Sequence, residues 1–157
     1  IMKRSISLLK NQNLDKLLGM RDQIQEKYLI NFSLFQSMAD FWGLKQHFPV
    51  MPLSKLDEKP THAANLWDIT CDSDGEISFD SNEPLYLHSV DLDEEDYFLG
   101  FFLVGAYQEV LGMKHNLFAH PNEATIIIDD DGYDIKNLKD SPSIISILDD
   151  LDYDIKN

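Results

Sequence analysis

The chain holds a single cysteine, Cys71, among 157 residues. One thiol cannot form an internal disulfide, so a reducing, cytoplasmic setting is expected. No apolar run approaches the roughly 20 residues that a membrane-spanning helix needs, so no membrane partner is expected. The opening Ile1-Met2-Lys3-Arg4 is not followed by the h-region of a signal peptide. Basic side chains are scarce past the first third. Residues 61–157 carry four Lys or Arg against twenty-two Asp or Glu, whereas residues 1–60 carry nine against six. The net charge of -15 argues against nucleic acid, because phosphate binding draws on a basic surface. An acidic face that aids solubility, or attracts a cationic substrate, remains.

What is present fits one globular domain of ordinary size, or a domain with an appendage. Hydrophobic residues make up 43% and charged residues 26%, which excludes a disordered chain. Ile6, Leu9, Leu14, Leu17 and Leu18 recur at helical spacing, with Asn13 as an N-cap, and predict helix over 2–28. From 31 to 60 the pattern is irregular and aromatic, which reads as a connector. Alternation over 64–71 predicts a strand that delivers Cys71 at its end. Further strands are expected at 85–90 and 124–129. The stretch Tyr97–Val104 reads as a strand covered on both faces. Gly105 allows a turn into a short helix near 106–112. Ser141-Pro142 predicts an N-cap and first helical residue, opening a helix to about 150. Tyr133-Asp134-Ile135-Lys136-Asn137 recurs as Tyr153-Asp154-Ile155-Lys156-Asn157, too few copies for a solenoid. The abrupt start and the end in mid-pattern suggest a piece of a longer protein.

The richest chemistry lies in Asp68-Ile69-Thr70-Cys71-Asp72-Ser73-Asp74-Gly75. A thiol there can hand over one proton, and an adjacent carboxylate can hold a cationic group. A calcium loop is excluded, since Thr70 and Ser81 would occupy its first and last ligand positions. A zinc site would lack ligands, and His62, His88 and His120 show no ligand spacing. A plain strand-end turn with solvated Asp72 and Asp74 remains possible from composition alone.

Cys71-Asp72-Ser73-Asp74-Gly75 resembles the signature of the biosynthetic arginine decarboxylases. Four further blocks match in the family's order: Asn31 to Ser37, Phe48 to Leu53, Phe102 to Glu109, and His115 to Phe118. The resemblance covers most of this chain but only the C-terminal part of that family. These are pyridoxal 5'-phosphate enzymes of the alanine racemase and ornithine decarboxylase superfamily. The resemblance implies that Cys71 reaches the active site of a neighbouring subunit and protonates the substrate α-carbon after carbon dioxide leaves. Asp72 would bind the distal cationic group of L-arginine, with Asp74 assisting. A planar guanidinium suits a carboxylate bidentately. Tyr107 would lie against the cofactor, at its phosphate. His115 falls where related enzymes carry an aromatic residue, but the preceding Gly112-Met113-Lys114 departs from the family pattern.

The implied fold is α+β, a β-sandwich or barrel-like domain with flanking helices. Residues 1–30 would end a helical insertion, 31–60 connect, 61–128 form the β domain, and 129–157 begin a helical extension. The lysine that anchors the cofactor, and its glycine-rich phosphate loop, would belong to an N-terminal barrel absent from this chain. The chain alone is therefore expected to be inactive. The implied reaction is L-arginine to agmatine and carbon dioxide, on the route to putrescine and spermidine, in a homodimer or higher oligomer. Magnesium is implied too, with no ligand set visible. The alternatives are another basic substrate, such as ornithine, lysine or diaminopimelate, or a non-catalytic acidic interaction module.

Overall fold

Three short strands meet around the central strand of a four-stranded sheet in a computed structural model that describes residues 25–79, 83–91, 95–105 and 107–154. Strand β1 is Glu26–Leu29, β3 is His62–Trp67, β4 is Glu76–Ile77 and β5 is Leu85–Leu87. β1 runs parallel to β3, while β4 and β5 pair with β3 antiparallel. Register explains which residues are buried. Ala64 faces Leu85 and Leu66 faces Ile77 across the ladder, and all four are buried. Successive side chains alternate between faces, so these pairs share one apolar face of the sheet.

The chain divides into two compact units, each assembled from separated stretches. The first takes residues up to Ile30, then Pro49–Trp67 and Glu76–Phe102. It contains the four-stranded sheet and a second, two-stranded one. In the latter, β2 (Val50–Pro52) pairs antiparallel with β6 (Leu99–Phe101). A buried histidine ties this unit together. His88 Nδ1 meets the Tyr97 hydroxyl at 2.7 Å and Nε2 meets the Glu58 carbonyl at 3.1 Å. Tyr28 donates its hydroxyl to the His88 carbonyl at 2.9 Å. Burial, then the nearby Glu26 carboxylate, pushes the Tyr28 phenol up to about 12.

The second unit takes Asn31–Phe48, Asp68–Gly75 and Leu103–Asn157. Helix α1 (Leu34–Ser37) and α2 (Ala39–Leu44) follow one another directly, and α3 (Gln108–Leu111) caps α2. The cap is a side chain: Gln108 Oε1 accepts from the Ala39 amide at 3.0 Å. Leu34, Phe35, Met38, Ala39 and Ile147 are this unit's buried apolar residues among those described. An antiparallel hairpin, β7 (Glu123–Asp129) and β8 (Gly132–Lys139), turns through two aspartates. Gly132 closes that turn at φ 146°, where a side chain would be strained. Helix α4 (Ile144–Asp149) follows.

The α+β class expected from sequence is therefore present, with several small sheets and no closed barrel among the described residues. Several element assignments need correction. Helix was expected over 2–28; residues 1–24 lie outside the described ones, and Glu26–Leu29 is a strand because β3 offers it a parallel edge. The supposed connector holds α1, α2 and β2. The strand of 64–71 stops at Trp67, so Cys71 lies in the following turn and not at a strand end. Only Leu99–Phe101 of the apolar stretch is strand, and Phe98, Phe102 and Leu103 are exposed. All three residues of β6 are only half-buried, so it is not covered on both faces. The last helix takes Ser143 rather than Ser141 as N-cap, its hydroxyl accepting from the Ser146 amide at 3.2 Å. The first copy of the five-residue repeat lies in β8, whereas Tyr153 and Asp154 follow α4 outside any helix or strand. No described helix is long and apolar enough to cross a membrane.

Candidate active site

Asp68 shapes the turn that carries the candidate residues. Its carboxylate is buried, at 3% exposure, and so needs partners. One oxygen accepts from the Leu34 amide at 2.9 Å, taking an orphan donor at the start of α1. The other accepts from the Thr70 amide at 2.9 Å and the Thr70 hydroxyl at 2.7 Å. Backbone bonds close the loop: Asp68 N to Gly75 O at 3.0 Å, and Gly75 N to Asp72 O at 3.1 Å. Glycine is required at the close. A Cβ on residue 75 would sit 2.2 Å from Asp68 Oδ1.

The fold of this loop turns its middle residues outward. Cys71 is exposed, and its Sγ accepts from Asn116 Nδ2 at 3.0 Å. Asp72 is about a third exposed. Its Oδ1 accepts from the Asp74 amide at 2.9 Å, and its Oδ2 pairs with His115 Nε2 at 3.0 Å. A carboxylate only accepts, so Nε2 carries the hydrogen of this contact. Asp74 Oδ2 accepts from the indole of Trp42 at 3.3 Å. The two aromatic partners share a wall, because buried Phe35 touches both. Its ring lies 4.4 Å from His115 and 5.3 Å from Trp42, centroid to centroid.

A second loop supplies His115 and Asn116. Its Met113 amide donates to the Phe35 carbonyl at 3.2 Å, which fastens it to α1. Lys114 pairs with Asp150. Asn116 and Leu117 both adopt left-handed backbone, at φ 55° and 63°. Asparagine tolerates that region; leucine does so only under tertiary constraint.

Three of the four residues singled out from sequence thus sit on one turn: Cys71, Asp72 and Asp74. Tyr107 lies at the N-terminal end of α3, 58% exposed, and its hydroxyl has no hydrogen-bond partner among the described residues. It is an open donor, of the kind an anionic group can use. The sequence reading missed Asp68, Trp42 and Asn116, and set His115 aside. Asp68 and Asn116 stood inside recognisable blocks, whereas nothing local marks Trp42 as a partner of Asp74. Among the described residues no group of three or more His, Cys, Asp and Glu side chains is placed to hold a metal ion. The magnesium implied by the resemblance therefore has no fitting ligand set there.

No family model matches the chain. Known proteins do. The chain is 46% identical over 150 residues to the biosynthetic arginine decarboxylase of Phocaeicola vulgatus, covering 92% of this chain and 23% of that protein. It is 45% identical over 146 residues to the one from Bacteroides thetaiotaomicron, covering 90% and 23%. The crystal structure of the biosynthetic arginine decarboxylase from Campylobacter jejuni superposes with a TM-score of 0.80 and 62% identity. It covers 90% of this chain and 24% of that one. The chain thus spans about a quarter of the length of these relatives. Sequence and fold agree that this chain is homologous to one part of the biosynthetic arginine decarboxylases.

Proposed function

We propose that the full-length protein decarboxylates L-arginine to agmatine and carbon dioxide, a step that feeds polyamine biosynthesis in the cytoplasm, and that this segment supplies the proton donor and the substrate clamp. The observation that carries this reading is the placement of an exposed thiol beside an ordered carboxylate that is about a third exposed. The relatives' name supplies the substrate.

Loss of carbon dioxide leaves an electron pair on the α-carbon, and a proton must be delivered there. The Cys71 S–H is that donor, and solvent returns the proton to sulfur afterwards. Asp72 takes the guanidinium. Each of its oxygens already receives one hydrogen bond, and the remaining lone pairs can accept the planar N–H fork. Asp74 adds a second charge, and the Trp42 ring beside it offers a face for stacking. The net charge of -15 raises the local concentration of a cationic substrate.

Pyridoxal 5'-phosphate, when bound, supplies the electron sink that the chemistry requires. The exposed Tyr107 hydroxyl would be suited to its phosphate. The rest of the cofactor's site would come from the barrel of a neighbouring subunit, which makes the enzyme a homodimer or a larger assembly. No step is assigned to magnesium.

The test is carbon dioxide release by the full-length enzyme with pyridoxal phosphate, on arginine, ornithine and lysine separately. Preference for arginine supports the proposal. Preference for ornithine or lysine would overturn the substrate, and silence on all three would overturn the activity and favour a non-catalytic module.

A further inference from the structure

Two neighbouring residues on one loop hold two neighbouring residues on another. His115 Nε2 reaches Asp72 Oδ2 at 3.0 Å, and Asn116 Nδ2 reaches Cys71 Sγ at 3.0 Å. The contacts span 43 and 45 residues of sequence, so neither arises from local geometry. From these paired contacts we infer that His115 and Asn116 are positioning residues for arginine decarboxylation, with separate tasks: His115 sets the substrate carboxylate and Asn116 sets the proton donor. The inference rests on the decarboxylase reading above.

The loop is built for this. Its Met113 amide is fixed to the Phe35 carbonyl, and the His115 ring is held by the buried Phe35 ring. These anchors fix the direction of Nε2. Asp72 needs such a hold, because a carboxylate a third exposed otherwise samples several rotamers. Its Oδ1 is already tied to the Asp74 amide, so the histidine completes a two-point fixation of the carboxylate plane. A guanidinium fork is then met by a pre-set partner, and less ordering is left for the binding step.

Asn116 acts on the neighbouring atom. An exposed thiol has no packing to choose its rotamer, and one N–H donor aimed at sulfur supplies the choice. The asparagine pays for this with left-handed backbone, and Leu117 beside it shares the same strained region. Strain held at consecutive residues is a mark of a position that the surrounding fold over-determines. Here it aims the Asn116 amide at Cys71. A pure loop-shape role would need only glycine at 116.

The test compares variants of the full-length enzyme that carry the segment. His115→Leu should raise KM for arginine by roughly ten-fold, the loss expected for a hydrogen bond to a charged group at a partly exposed site, with kcat nearly unchanged. His115→Gln retains an N–H donor and should recover most of that KM. Asn116→Gly keeps the left-handed backbone but removes the donor. It should leave KM unchanged and lower kcat about three- to ten-fold, the range of a neutral hydrogen bond. It should also raise the fraction of turnovers in which the proton arrives elsewhere, the amino group stays with the cofactor, and water releases an aldehyde rather than agmatine. Thermal melts confirm that each variant is folded.

A wild-type enzyme active on arginine, with KM unmoved in the leucine variant and kcat and product ratio unmoved in the glycine variant, would overturn the positioning roles alone. Equal loss of kcat and KM in all three variants would reduce them to structural residues, and overturn the inference too. A wild type silent on arginine would overturn the decarboxylase reading, and with it this one.

Discussion

Replacing Asp68 by asparagine changes one atom and should disturb the whole candidate site. The native carboxylate accepts three hydrogen bonds, from Leu34 N, Thr70 N and Thr70 Oγ1. An asparagine has one accepting oxygen and one donating nitrogen. Turned toward Thr70, its oxygen keeps both threonine bonds but sets the NH2 group against the Leu34 amide. That amide belongs to a fully buried residue and would lose its partner. Turned toward Leu34, the oxygen keeps that bond, and the Thr70 amide is orphaned. Either way one donor is left unpaired, buried at Leu34 or part-buried at Thr70, and charge assistance is lost at the others. The cost is about 2–3 kcal/mol. Because Asp68 sits where the turn closes on itself, the penalty falls on local opening of the turn and of the start of α1. Hydrogen exchange followed by mass spectrometry on the full-length enzyme reads this directly. Peptides covering 30–37 and 68–75 should exchange roughly 30- to 150-fold faster, the rate equivalent of that free energy. The ratio kcat/KM should fall as well, since Cys71 and Asp72 ride on the same turn. Exchange and kcat/KM both unaltered would refute the claim that Asp68 organises the site.

Gly75→Ala should destabilise the same turn by about 1–3 kcal/mol, because its Cβ would fall 2.2 Å from the Asp68 carboxylate; a thermal melt and kcat/KM of the full-length enzyme check it. Cys71→Ala should lower the decarboxylation rate by about a hundred-fold or more and divert turnover toward aldehyde, measured by product chromatography. High pH offers a separate check on the first unit. The Tyr28 phenol ionises at about 12 in the folded state against about 10 unfolded, so its contribution is intact below pH 10 and is lost as pH rises toward 12. For a phenol only partly shielded from solvent that loss is about 1 kcal/mol, and Tyr28→Phe should flatten the pH dependence of unfolding in that window.

Much of the candidate site was legible because it is local. Cys71, Asp72 and Asp74 are close in sequence, and Gly75 allows the turn that presents them. Residues adjacent along the chain stay adjacent in any fold. Strand alternation was read over 64–71 and the strand is His62–Trp67, so its existence was legible, because a half-buried ladder imposes its period on the sequence, but its limits were not. The short helix expected near 106–112 was equally readable, and α3 is Gln108–Leu111. Element limits were less so. Whether 26–29 is helix or strand depends on the parallel edge that β3 provides, and nothing in Glu26-Lys27-Tyr28-Leu29 encodes that edge.

By itself, then, the sequence determined the family, the acidic character, and the order of thiol, carboxylates and glycine on one loop. Only the tertiary structure decided the partners. It placed Asp68 under the Leu34 amide, Trp42 against Asp74, His115 against Asp72 and Asn116 against Cys71. These pairs lie 34, 32, 43 and 45 residues apart. Short-range periodicity carries no information about such distances. They are set when the Phe35 core closes and brings three separated segments to a single wall.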